Sequence, residues 1–152
     1  MRSGRGQSGG GRRVVGVVAG GPSGGLLPEG MLDLPIGPGV LHESGAVLGS
    51  GGVVVLDDTM PIPQVVRQLA AYNAAESCGK CTPCREGAPR MVEALDRLTG
   101  ADGAAADLDE LRALTEVVAS ASLCGLGQMA GGPITSALHF FGDHFAGTEG
   151  VE

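Results

Sequence analysis

At 152 residues and a net charge of −7, the chain suits one domain, or a small domain with an appended segment. Arg2, Arg5, Arg12 and Arg13 precede the first acid, Glu29, so the body keeps 6 of the 10 basic residues against all 17 acids; such a body lacks the basic footprint of nucleic-acid binding. Apolar content is 43%, but with three Phe, one Tyr, no Trp and 28 Gly, little area is buried per residue, and a bound metal centre is expected to supply part of the folding free energy.

Residues 1–13 read as a disordered Arg/Gly-rich arm. Gly4, Gly6 and Gly9 spell a G-x-G-x-x-G, but no strand precedes it and no helical pattern follows, so it is not a dinucleotide motif. Arg12-Arg13 stands before an apolar run of only Val14 to Ala19, shorter than the roughly 7–15 residues of an export signal. No stretch approaches the roughly 20 apolar residues of a membrane helix. The expectation is a cytoplasmic protein without direct membrane insertion, at most at the cytoplasmic face of a membrane-bound complex, with its thiols reduced.

From residue 14 to about 60 the chain holds short β-type runs separated by glycine turns. Val14–Val18 is β-branched and predicts a buried strand ending in the turn Gly20-Gly21-Pro22-Ser23-Gly24-Gly25. Leu32-Asp33-Leu34-Pro35-Ile36 predicts a second strand, at an edge because of Pro35. Val53–Leu56, after Gly49-Ser50-Gly51-Gly52, predicts a third. Both glycine runs lack the Lys-Ser/Thr of a phosphate-binding loop and are read as tight turns.

Past Pro63 the apolar period becomes helical. Val65, Val66, Leu69, Ala70 and Tyr72-Asn73 predict one helix, and Met91, Val92, Leu95 and Leu98 a second, with Pro89 in its first turn. After a loop over 100–106, Asp107 is expected to cap a third helix with Glu110 in a capping box. Pro133 opens a fourth, with Ile134, Ala137, Leu138, Phe141 and Phe145 on one face. Four helices with short links predict an up-and-down bundle over residues 61–147, followed by a tail at 148–152. The fold class expected is therefore α+β.

The chain's cysteines are Cys78, Cys81 and Cys84, three apart, and Cys124, forty positions on. The bundle places the two cysteine loops, between helices one and two and between three and four, at the same end. A C-x2-C-x2-C triplet with a remote fourth thiol suits a [4Fe-4S] cubane and uses all four residues. Structural zinc, which favours two separated pairs, stays as the alternative. Two disulfides would need an oxidising compartment, and dithiol redox chemistry would leave two thiols idle. Gly79, Gly87, Gly125 and Gly127 are expected to bring backbone N–H groups close to the cluster. Lys80 and Arg85 either offset its negative charge or form an ordinary solvated pair. His42, His139 and His144 are not needed as ligands, and Glu76 and Glu86 flank the loop without forming a catalytic dyad.

The run Glu76-Ser77-Cys78-Gly79-Lys80-Cys81-Thr82-Pro83-Cys84-Arg85-Glu86-Gly87 resembles the iron–sulfur signature of the NADH-binding flavoprotein subunit of respiratory complex I. The same signature belongs to the diaphorase subunits of NAD-linked hydrogenases and formate dehydrogenases. Ser122-Leu123-Cys124-Gly125-Leu126-Gly127-Gln128, with Pro133 and Ser136-Ala137-Leu138, resembles the fourth-ligand segment. Residues 14–60 resemble part of the ubiquitin-like SLBB domain, a partial β-grasp, short at its start. The resemblance implies that Cys78, Cys81, Cys84 and Cys124 hold one [4Fe-4S] cluster. In this picture the cluster relays single electrons from FMN, reduced by NAD(P)H, to downstream iron–sulfur subunits. The family's flavin and NADH domain does not match any part of this sequence, so FMN and NAD(H) are expected only through a separate chain. The implied partners are that flavin/NADH-binding subunit and the other iron–sulfur subunits, and the chain is not expected to oxidise NADH alone. Gly142-Asp143-His144 stands where the family tends to have Arg-Asp-Glu/Asp. A structural zinc-binding interaction module, or a non-functional truncated fragment, is the competing reading.

Overall fold

The structure, a computed structural model, describes residues 11–35, 39, 45–47, 49–100 and 105–145. Most of the Arg/Gly arm with its glycine motif, His42 and the tail lie outside the described residues.

Strand β1, Val14–Ala19, has the β-branched content and alternating burial of a half-covered strand. It is the centre of a three-stranded antiparallel sheet ordered β2-β1-β3, with β2 at Gly25–Pro28 and β3 at Val53–Asp57. Val18 pairs with Leu26 on one side and Val54 on the other. A bulge falls between Val14 and Gly16, and Gly16 has no room for a side chain, since a Cβ there would lie 2.4 Å from the Leu27 carbonyl oxygen. Gly20 and Gly21, with φ of 89° and 81°, turn β1 into β2.

The second strand is not the one expected. Within the described part of the Leu32–Ile36 candidate, residues 32–34 form turn and bend and Pro35 is irregular, following a 3-10 turn at Glu29–Met31. The strand is Gly25-Leu26-Leu27-Pro28 instead, which the sequence presents as the end of a glycine turn. It is selected by tertiary contact: the Leu26 N–H donates to the buried Ser136 hydroxyl at 2.8 Å.

Among the described residues five helices follow: α1 Ile62–Ala75, α2 Thr82–Leu98, α3 Ala105–Ala121, α4 Gly125–Met129 and α5 Gly132–Phe140. Helix α2 starts well before its apolar period. Pro83 occupies its first turn, and Pro89 lies in its interior rather than its first turn. Asp107 does not precede α3 as its N-cap residue: it sits in the helix's first turn, where its carboxylate accepts from Arg97 Nε at 2.6 Å, and Glu110 accepts from the same guanidinium. Helix α4 has no counterpart among the expected elements, and α5 stops at Phe140, leaving Gly142–His144 as a 3-10 turn.

Val18, Leu26 and Leu56 of the sheet share one core with Ile62, Val66, Met91, Leu95, Leu111, Val118 and Ile134 of the helices. Fully burying each large aliphatic side chain contributes about 1.5–3 kcal/mol. Small residues let the helices approach: a Cβ on Gly87 of α2 would lie 2.3 Å from Val118 Cγ2 of α3. Buried Asn73 of α1 joins three segments. Its Nδ2 donates to the Pro22 carbonyl at 2.9 Å and the Ala130 carbonyl at 3.4 Å, while its Oδ1 accepts from Ser23 at 2.8 Å. On the surface, Arg67 of α1 forks onto Asp96 of α2 at 2.7 and 3.0 Å.

Candidate metal centre

Helices α1 and α3 end where α2 and α4 begin, and the cysteines occupy that end. Cys78 lies in the loop after α1. Cys81 is the N-cap of α2, Cys84 lies in its first turn, and Cys124 is the N-cap of α4. Backbone bonds define both starts, from Arg85 N–H to the Cys81 carbonyl at 3.0 Å and from Gln128 N–H to the Cys124 carbonyl at 3.1 Å. The triplet is thus only partly a loop: its last thiol is carried by a helix.

All four thiols line one cavity of about 90 Å³, with Glu76, Ser77, Lys80 and Leu126 completing its wall. Cys84 is buried, Cys81 intermediate, and Cys78 and Cys124 exposed, so the cavity runs from an enclosed floor to a rim that meets solvent. No cysteines are disulfide-bonded. Among the described residues, no group of three or more His, Cys, Asp or Glu side chains is arranged to hold a single metal ion.

The Cys81 thiol is held below its ordinary pKa, chiefly by the backbone N–H of Leu123 and then by that of Cys84, both of which favour the thiolate. Ser122 adds a weaker polarisation from its buried hydroxyl, which lies short of ordinary hydrogen-bond geometry and has no other partner among the described residues. Ser77 Oγ lies 3.2 Å from Cys84 Sγ and accepts the Gly79 N–H at 3.3 Å. Gly79, with φ of 72°, turns the loop back on itself.

The glycines and cations divide. Gly127 lets α4 close over the site, since a Cβ there would lie 2.4 Å from Ser122 Oγ and 3.1 Å from Cys84 Cβ. Gly87 serves the α2–α3 contact instead, and Gly125 faces open space. Arg85 is a staple: it donates to the Gly79 carbonyl at 2.9 Å and pairs with Glu86 at 2.9 Å, which offsets its charge locally. Lys80 stays at the cavity wall. His139 and His144 are exposed on α5 and the turn after it, away from the cavity lining. The sequence reading missed Ser77 and Ser122. Each adjoins a cysteine-bearing stretch, but nothing in the spacing says which sulfur a hydroxyl will meet.

Residues 64–148 match the family model described as the NADH-ubiquinone oxidoreductase-F iron-sulfur binding region. The chain belongs to this family. It is 41% identical to the NADP-reducing hydrogenase subunit HndC of Solidesulfovibrio fructosivorans over 135 residues, covering 89% of this chain and 28% of the relative. It is 37% identical to an NADH-quinone oxidoreductase subunit of Rhizobium meliloti, covering 89% of this chain and 32% of the relative. A crystal structure of an NAD+-reducing [NiFe]-hydrogenase in the H2-reduced state superposes with a TM-score of 0.72 at 31% identity, over 87% of this chain and 22% of that one. The chain therefore spans about a third or less of the length of these family relatives. The mixed α/β arrangement of small sheet and helices is shared with the hydrogenase chain. Among the described residues, no helix is long and apolar enough to cross a membrane.

Proposed function

We propose that Cys78, Cys81, Cys84 and Cys124 ligate one [4Fe-4S] cluster in a segment spanning residues 61–147, and that the chain is an electron-transfer module of an NADH dehydrogenase-type oxidoreductase. The observation that carries this reading is the convergence of all four thiols on one cavity at the meeting of four helix ends. When bound, such a cluster supplies one-electron acceptor and donor chemistry.

The residues fit that group better than a single ion. Structural zinc favours two separated cysteine pairs, whereas the cavity here is lined by a triplet three residues apart and one remote thiol, the pattern that suits a cubane. The N–H groups of Leu123 and Cys84 favour the thiolate form that ligation needs. Cys84 forms the enclosed floor, and the exposed Cys78 and Cys124 place the opposite side within reach of a partner.

In this role the chain works beside a flavin- and NADH-binding polypeptide carrying FMN, and passes electrons toward further iron–sulfur subunits. The relatives' names, an NADP-reducing hydrogenase subunit and an NADH-quinone oxidoreductase subunit, support an oxidoreductase complex of this kind. Anaerobic reconstitution tests the reading: about four iron and four acid-labile sulfide per chain, with visible absorbance, are expected. Stoichiometric zinc binding without colour would sink it. Cys124→Ala is expected to prevent assembly of an intact cluster, and an unchanged cluster in that variant would refute the ligand set.

A further inference from the structure

One serine hydroxyl sits against a sulfur on the enclosed side of the centre, and a second, buried and unpartnered among the described residues, lies beside the same wall. Ser77 Oγ accepts the Gly79 N–H at 3.3 Å and lies 3.2 Å from Cys84 Sγ. An amide N–H can only donate, so it takes up an acceptor position on Ser77. A second acceptor position remains on the hydroxyl, but a ligating thiolate has no proton to give, so with the metal group bound the Ser77 hydroxyl is the donor to Cys84 Sγ. Ser122 is 5% exposed, and its Oγ is a buried side-chain polar atom without a hydrogen-bond partner among the described residues. It is confined on one side by Gly127, where an added Cβ would lie 2.4 Å away. The same Cβ position lies 3.1 Å from Cys84 Cβ, so the hydroxyl stands beside the Cys81–Cys84 turn, and it is among the groups that hold the Cys81 thiol below its ordinary pKa. A buried hydroxyl without an acceptor is unfavourable, and a ligating thiolate supplies one.

We propose that Ser77 and Ser122 are positioning residues that donate hydrogen bonds to the ligand sulfurs of Cys84 and Cys81 and thereby raise the reduction potential of the bound iron–sulfur group. This rests on the four-cysteine reading above. The physical reason is that reduction adds negative charge shared with the thiolate sulfurs, and a donor aimed at those sulfurs stabilises the reduced form more than the oxidised one. The two serines act on different ligands, so their effects are expected to be separable.

The test uses the full chain, reconstituted anaerobically with iron and sulfide, and reads the midpoint potential by redox titration followed by electron paramagnetic resonance. Ser77→Ala and Ser122→Ala should keep the iron and sulfide content of the wild type and move the midpoint to more negative potential. The double variant should move it further, and Ser77→Thr, which keeps a hydroxyl, should restore the wild-type value. Loaded variants with an unchanged midpoint would overturn the proposal. A Ser122→Ala chain that fails to fold or to load makes that hydroxyl structural and overturns its half. Ser77, which is only part-buried, still decides the other half. A wild-type chain that takes up no iron and sulfide refutes the ligand reading itself, an outcome distinct from a loaded chain with an unmoved potential.

Discussion

Asn73 and Gly127 show how single positions hold the centre in place. Asn73 has three partners on two other segments, the Pro22-Ser23 turn and Ala130, and its amide is buried. Asn73→Ala leaves the Ser23 hydroxyl and two carbonyls without it, so a loss of about 1–3 kcal/mol is expected in urea unfolding of the chain. Gly127→Ala puts a Cβ against Ser122 Oγ and Cys84 Cβ. Overpacking of this kind costs about 1–3 kcal/mol. Because the displaced atoms belong to the centre, iron content per chain should fall along with the melting temperature. The cysteine set was legible from spacing alone, because three thiols three residues apart have little freedom and only one further cysteine exists. Asn73 was legible merely as part of a helical pattern, since its partners lie about 50 residues away.

Among the elements, periodicity located the long helices and missed the pieces that contacts decide. Strand β2 is Gly-Leu-Leu-Pro, too short to alternate, and it forms because β1 and the Ser136 hydroxyl of α5 take up its backbone. The start of α2 was obscured because its first turn holds Thr82, Pro83 and Cys84 rather than core aliphatics. Helix α4 has five residues, below any helical period that a sequence pattern can reveal. The close approach of α2 and α3 is set by Gly87 beneath Val118. Gly87→Ala is expected to destabilise the chain despite the better helix propensity of alanine. Val118→Ala in the same chain should recover part of that loss, because removing the Val118 methyl groups makes room for the new Cβ. A double-mutant cycle by denaturant titration measures it, and purely additive effects would contradict the steric account.

For the molecule as a whole, a body rich in Gly and Ala and poor in aromatics folds around a core of modest side chains. If the centre binds its metal group only in the folded state, ligand binding adds to stability by mass action. The reconstituted chain should therefore melt at a higher temperature than the same chain after chelation, with the gap closing in Cys124→Ala. Acid stability has a separate origin at Asp57, whose carboxylate accepts from the Thr59 hydroxyl at 2.6 Å, the Thr59 N–H at 3.0 Å and Arg12 at 3.1 Å. These bonds, the Thr59 hydroxyl first, hold its folded pKa below the usual carboxylate value. The stabilisation is thus complete above the unfolded value of about 3.9 and is lost as pH falls through the lower folded one. The melting difference between wild type and Asp57→Asn should be full near neutral pH and should shrink below about pH 4. By itself the sequence grouped the four cysteines that line one cavity and placed the long helices after a β-type start, because thiol spacing and apolar period are local properties of the chain. Only the tertiary structure decided that β2 is a strand, that Gly87 serves helix packing, that Arg85 is a staple, and that the Ser77 hydroxyl lies against the Cys84 sulfur. Each of these depends on which distant atom fills the space beside the residue, and no local pattern carries that information.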